Sequence, residues 1–169
     1  FQCPPSLLAG RLVFELNGSP GLAKTAGNFA ALCTGEKGAC KNAPKKQLWY
    51  KGCPVHRIVK GYVVQGGDIT RGDGSGGESI YGGKFNDEKD GLKIKPGLGS
   101  LAMANSGKNS NTSQFFVIST DAEAQLAKIN GKYVVFGQLV DGWEVLQRLD
   151  SIGTGDGTPH EPVWIEDCG

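Results

Sequence analysis

The sequence predicts a mainly β protein, a barrel or a sandwich, with two helices packed against it. Three observations carry this. Glycine makes up 27 of the 169 residues and is scattered between short runs of alternating apolar residues, the pattern of many short strands joined by tight turns. Those runs are numerous enough to close or double a sheet. Two segments depart from the alternation and repeat their apolar residues at helical spacing.

In chain order, a first strand is expected at 11–16, "RLVFEL". A helix follows from about Gly21, where Leu22, Ala26, Phe29, Ala30 and Cys33 share one face and Gly35 is placed to end it. Strands at 54–59 and 62–66 form a hairpin, and further strands are expected at 100–104, 114–119, 133–139 and 163–166. Thr120-Asp121-Ala122-Glu123 has the form of a capping box for a short helical turn. The second helix holds Val145, Leu146, Leu149 and Ile152 and stops at Gly153. Each helix has a single apolar stripe, so each must pack on something else, and the end of a barrel suits it. Three polar loops, 37–47, 71–83 and 105–112, lie between these elements and would shape any groove.

The length fits a single domain over residues 1–169, able to bury roughly 70% of its unfolded surface without disulfide staples. Eighteen Lys and Arg against 17 Asp and Glu give no general attraction to nucleic acid or to an anionic membrane, and no apolar run is long enough to span one. The five cysteines (3, 33, 40, 53 and 168) show no ligand spacing, so neither a metal nor any other cofactor is expected. Their sparsity favours a reducing compartment, and a cytoplasmic monomer is the expectation. The chain does not begin with Met, so its N-terminus can be incomplete.

Several motifs fail on context. Gly72-Asp73-Gly74-Ser75-Gly76-Gly77 matches the dinucleotide fingerprint, but "ESIYGGKF" after it is no amphipathic helix, so a bound pyrophosphate would have no helix dipole to meet. His56 and His160 are the only histidines, and His56 reads as a hydrogen-bonded core residue rather than a base. There is no nucleophile elbow and no zinc-protease motif. An enzyme with this inventory would break no bond.

The hairpin is the informative element. If Lys60, Gly61 and Tyr62 make its turn, Arg57 faces Gln65 and Val59 faces Val63, all four on one side of the ribbon. Taken alone, a cation beside an amide there reads as a solvated face.

Four phrases decide otherwise. "NFAALCTGEKG", "KGCPVHRIVKGYVVQGGDITRGDGSGGESIYGGKF", "GSLAMANSGKNSNTSQFFVIST" and "NGKYVVFGQLVDGWEVL" resemble the cyclophilins, the peptidyl-prolyl cis-trans isomerases, in order and spacing from about Gly10 to Gly169. The resemblance implies a closed eight-stranded antiparallel barrel capped by two α-helices, with a substrate groove on its outer surface. It implies that Arg57 is catalytic, with Gln65 as its partner and Asn105 binding the substrate backbone. It places Ala104, Gln114, Phe116, Tyr62, Val63, Ile129 and Tyr133 around a proline pocket, Phe116 as its floor. Period two agrees, setting Gln114 and Phe116 on one face of their strand and Phe115 and Val117 on the other.

Three positions depart from the common family form. Lys128 stands where a tryptophan is frequent, Tyr133 where histidine is usual, and Val63 replaces a methionine. The first implies reduced affinity for cyclosporin. The stretch "GACKNAPKKQLWYKG" is longer than in short family members and resembles the divergent-loop type. There the resemblance suggests that Glu78 holds the loop's backbone amides and that Cys40 and Cys168 pair under oxidation, with Lys37 and Lys41 expected to make Cys40 the attacking thiolate. Three functions follow: an isomerase acting on proline-containing peptides and proteins, a proline-peptide binding module with little turnover, and a lipocalin-like barrel. The last is disfavoured because Phe115, Phe136 and Trp164 are available to fill the centre.

Overall fold

The computed structural model describes residues 8–169, so Cys3 lies outside the described residues. Its strands are β1 (Val13–Leu16), β2 (Arg57–Val59), β3 (Val63–Gly66), β4 (Ser100–Met103), β5 (Phe115–Ile118) and β6 (Val135–Asp141). Its helices are α1 (Ala23–Thr34), preceded by a 3₁₀ turn at Pro20–Leu22, α2 (Lys89–Lys93), α3 (Glu123–Ile129) and α4 (Trp143–Ser151). The strands make one antiparallel sheet in the order β1-β6-β4-β5-β3-β2. No helix among the described residues is long and apolar enough to cross a membrane.

This corrects the expected eight strands and two helices. The described residues form six strands in a sheet that does not close, with four helices. The segment at 163–166 does lie along 52–55, through Val55 N–H to Val163 O and Ile165 N–H to Cys53 O, both 2.9 Å. It reaches only an isolated bridge, Pro54 to Trp164. Gly52 N–H then donates to Ile165 O at 2.7 Å, one residue out of the register that the Pro54–Trp164 bridge sets, so the ladder does not run on.

The sheet's inner face carries Ile58, Val64, Leu101, Met103, Val117, Phe136 and Leu139, all in the main core. α1 packs on it through Phe29, whose ring meets Phe14, Tyr50, Phe115 and Phe136 at centroid distances of 5.2 to 6.3 Å. Phe115 and Phe136 thus fill the centre as expected, but Trp164 does not join them. Its indole N–H donates to Glu166 Oε2 at 2.9 Å, while Tyr50 and Phe29 take the central space. The buried face of α1 is Leu22, Thr25, Asn28, Phe29, Ala31 and Leu32, one column away from the expected stripe, with Ala30 exposed. The polar Asn28 misled the apolar count. It is fully buried because it accepts from Ile80 N–H (3.0 Å) and donates to Thr112 O (3.0 Å), tying the helix to two loops.

α4 buries Val145, Leu146 and Leu149 as its spacing predicts. α3 begins without the expected capping box: no side chain caps it, and Thr120 Oγ1 instead accepts from Ala122 N–H at 3.1 Å.

Glu78 does anchor the 37–47 loop. Its carboxylate, 2% exposed, accepts from Lys41 N–H at 2.6 Å and Asn42 N–H at 2.9 Å. Glu78→Gln keeps the shape but turns an amide N–H₂ toward one of those donors. The expected loss is about 1.5–3 kcal/mol, the usual worth of a hydrogen bond to a charged group. Hydrogen exchange should show the Lys41 and Asn42 amides accelerated ahead of those in β4 and β5. Unchanged protection would mean that the carboxylate does not hold the loop.

Candidate active site

The second face of the sheet carries a smaller apolar cluster of Val63, Ala102, Phe116, Ile118, Ile129 and Val135. Its position follows from register. Arg57 pairs with Gln65, Gln65 with Phe116, Phe116 with Ala102, and Ala102 with Val135. Directly paired residues point the same way, so these five form one row across β2, β3, β5, β4 and β6. The hairpin register is the one the sequence predicts. Gly61 makes its turn at φ 69°, a conformation that favours glycine, and its N–H donates to Asp150 Oδ1 at 2.8 Å.

At the polar end of this row lies a cleft of about 130 Å³ lined by Arg57, Tyr62, Val63, Gln65, Ala104, Asn105, Phe116 and Tyr133. It is well below the ~300–1,000 Å³ of sites that enclose a drug-sized ligand, so it suits a small ring entering from an extended chain. Phe116, 4% exposed, meets Tyr133 edge to face, with centroids 5.2 Å apart and planes at 88°. Every lining residue was expected at the site from the sequence. Gln114 and Ile129 were also expected there but sit behind the wall, Gln114 8% and Ile129 1% exposed. Lys128 is exposed at the rim, its Nζ 5.9 Å from the centre of the Tyr62 ring and 2.9 Å from Gln125 Oε1.

Arg57 is the chemically unusual member. Its Nη1 donates to Gln65 Oε1 at 3.1 Å, and among the described residues no carboxylate stands within ion-pair distance of it. Its stem packs on Gly157, where a Cβ would come within 2.9 Å of the arginine Cγ. A larger residue there would push the guanidinium off its place. A half-buried guanidinium with donors to spare, at the mouth of a cleft floored by Phe116, is an electrophile aimed at whatever the cleft holds.

The surrounding groups do not titrate usefully. Tyr62 is held above the usual phenol range by burial and then by Tyr133, with Arg57 pulling it back. His56 is pushed down, first by burial, with Asp68 opposing, Arg57 adding to the fall and Asp73 opposing. Its Nδ1 is buried with no partner, which corrects the expectation of a hydrogen-bonded core histidine. Among the described residues no three His, Cys, Asp or Glu side chains gather to hold a metal ion.

Cys33, Cys40, Cys53 and Cys168 are free thiols. Lysines do not activate Cys40: burial and then Glu78 raise its thiol, outweighing its own backbone N–H and Lys46. Cys33 is pushed up to about 12 by burial and then by nearby Cys168.

Sequence reasoning missed Asp68, 1% exposed, whose carboxylate gathers the main chain of the 68–76 segment. The available signal was an acidic residue followed by "ITRGDGSGG", glycines able to turn their N–H groups inward on it. The apparent dinucleotide fingerprint is thus occupied by the protein's own anion.

The cleft sets an aromatic floor beside a guanidinium that makes no ion pair among the described residues, an arrangement suited to holding and polarising a cyclic amide. The comparison of the chain with known families agrees: the model described as "Cyclophilin type peptidyl-prolyl cis-trans isomerase/CLD" matches residues 6–169. The chain therefore belongs to the cyclophilin-type peptidyl-prolyl cis-trans isomerases.

Proposed function

We propose that the isomerase reaction runs through Arg57, with Gln65 orienting it and the Phe116 cleft receiving the proline ring. The observation that carries this reading is the Arg57–Gln65 hydrogen bond beside the aromatic floor that Phe116 makes. Amide resonance opposes rotation by roughly 18–20 kcal/mol, and unaided X-Pro bonds take tens to hundreds of seconds to turn. Millisecond turnover needs about 10⁴–10⁵-fold, or about 5–7 kcal/mol. One preorganised donor supplies about 3–4 kcal/mol of that in a water-poor site. As the bond twists, the prolyl nitrogen pyramidalises and regains its lone pair, which Arg57 meets with an N–H. Holding the ring on Phe116, between Tyr62, Val63 and Tyr133, while the preceding carbonyl turns favours the twisted state. The Asn105 main chain sits beside Ala104 and pairs with the substrate chain. Its side chain is already committed, donating to Lys132 O at 3.1 Å and accepting from Gly107 N–H at 3.2 Å.

NMR exchange on a short X-Pro peptide tests the function without a coupled protease. Cross-peaks between cis and trans forms at catalytic enzyme ratios are expected. Peptide binding without exchange would make the chain the binding module instead.

Cyclosporin is expected to bind with reduced affinity, because Lys128 offers no indole donor or apolar plane at the rim. Lys128→Trp should raise affinity about ten-fold, the worth of about 1.4 kcal/mol. A calorimetric titration with no gain would show that position 128 does not face the ligand.

The 37–47 loop, held by Glu78, supports assignment to the divergent-loop type. In that reading oxidation joins Cys40 to Cys168 and draws the loop from Glu78, which requires Cys40, 2% exposed, to leave the core first. Mild oxidation with non-reducing peptide mapping should give a Cys40–Cys168 peptide and lower activity. A Cys33–Cys168 peptide in its place would leave the loop without that switch.

A further inference from the structure

Asp68 lies outside the cleft and touches none of its lining side chains, yet the polar contacts around it lead to Arg57 in one unbroken line. Its Oδ1 accepts from Thr70 N–H (3.2 Å) and Arg71 N–H (2.9 Å), and its Oδ2 from Gly74 N–H (2.9 Å) and Gly76 N–H (3.0 Å). The Thr70 hydroxyl adds a fifth contact at 3.2 Å. With its main chain pinned this way, the loop presents the Gly74 and Gly76 carbonyls to one side-chain nitrogen. Gln114 Nε2 donates to Gly76 O at 2.7 Å and to Gly74 O at 2.9 Å. Gln114 Oε1 accepts from Gln65 Nε2 at 3.1 Å, and Gln65 Oε1 accepts from Arg57 Nη1 at 3.1 Å.

The direction of this line is fixed at both ends. Carbonyl oxygens only accept and a guanidinium only donates, so the two amides between them have one self-consistent orientation. Both hydrogens of Gln114 are taken by the two carbonyls, which leaves its oxygen for Gln65. Gln65 must then turn its nitrogen to Gln114 and its oxygen to Arg57. Were the loop to release its carbonyls, Gln114 could flip, Gln65 would follow, and an amide N–H₂ would face the guanidinium. Donor would meet donor, and the arginine would swing away. We propose that Asp68 is a positioning residue for Arg57, acting through the Gly74 and Gly76 carbonyls and the amides of Gln114 and Gln65.

The carboxyl suits this task. Burial alone would raise it, but the N–H groups of Arg71, Gly76 and Gly74 outweigh burial and hold it at about 2, so it stays ionised wherever the enzyme works. Asparagine cannot replace it, because its amide nitrogen would confront two of the N–H donors. The inference rests on Arg57 being the catalytic group.

The test uses the full chain and NMR exchange at peptide concentrations spanning KM. Asp68→Asn should lower kcat five- to ten-fold with KM changed less than two-fold, and should shift or broaden the Arg57 Nε–H resonance. In a Gln114→Ala background Asp68→Asn should cost nothing further, since the line is already cut. Gln114→Glu is the second variant, in case Asp68→Asn folds poorly. At neutral pH it should match the loss, and kcat should recover partly as the introduced carboxyl is protonated and donates to a carbonyl again. Glu88→Gln is the stability control, since Glu88 holds the first turn of α1 through Lys24 and Thr25 N–H and is remote from this line. It should leave kcat at the parent level. A multiplicative loss in the double variant, a rise in KM alone, or no acid recovery would overturn the proposal. If Arg57→Ala slows exchange and Asp68→Asn does not, the relay fails while the role of Arg57 stands. If Arg57→Ala has no effect, it is the reading of Arg57 that fails.

Discussion

Arg57→Ala is expected to lower kcat/KM for an X-Pro peptide by at least ten-fold and toward the ~10²–10³ that one preorganised donor contributes. The loss should fall mainly on kcat, because the guanidinium meets charge that exists only in the twisted peptide. Ground-state contacts with the proline ring belong to Phe116, Val63 and Tyr133, which the substitution leaves in place. The fold should hold: Arg57 makes no ion pair among the described residues, so truncation strands no buried carboxylate. Arg57→Lys should recover little, since an ammonium on a flexible stem cannot reach both Gln65 and the substrate with one planar fork. Exchange spectroscopy at matched enzyme concentrations decides the matter. Equal rates in parent and variant would remove Arg57 from the mechanism.

The site was more legible in the sequence than the closure of the sheet. A tight turn and period two are enough to place Arg57 beside Gln65, because both rest on local geometry that tertiary context rarely overrides. Parity also sets Phe116 apart from Phe115 and Val117 on its strand, but that this face continues the Arg57–Gln65 row is a long-range pairing seen only in the structure. Sheet closure depends on something a pattern does not show: whether each successive N–H finds a carbonyl. At 163–166 the alternation is right, but the register slips by one residue where Gly52 N–H donates to Ile165 O, and only an isolated bridge forms. The buried face of α1 was misjudged for a related reason. Thr25 and Asn28 look like solvent-facing residues until their neighbours are known, and Asn28 is buried because two loops supply its partners. Cys40 shows the same limit for charge. Lys37 and Lys41, close to it in sequence, are not what sets the thiol, whereas Glu78, distant in sequence, adds to burial in raising it and Lys46 only partly offsets this. Local rules were reliable for register and failed wherever a long-range polar partner decided the outcome.

Phe116→Ala should have the largest effect on stability of any change in the cleft. The ring is 4% exposed and lies among Val63, Ala102, Ile129 and Val135, with Tyr133 packed on its edge. Removing a buried phenylalanine costs about 3–5 kcal/mol, and the lower end applies because one side of the void opens on the cleft, where water can enter. For a domain of this length that is a fall in Tm of roughly 6–12 °C. Activity should respond differently from Arg57→Ala. With the floor gone the proline ring loses its contact area and an aromatic partner, so KM should rise about ten-fold or more, while kcat falls less because the Arg57–Gln65 bond survives. Phe116→Leu should return most of the stability, since the void is largely refilled, but only part of the affinity, since the flat ring face is not restored. Calorimetry and exchange kinetics on the same samples separate the two effects. A variant that unfolds early yet keeps the parent KM would show that Phe116 belongs to the core and not to the binding surface.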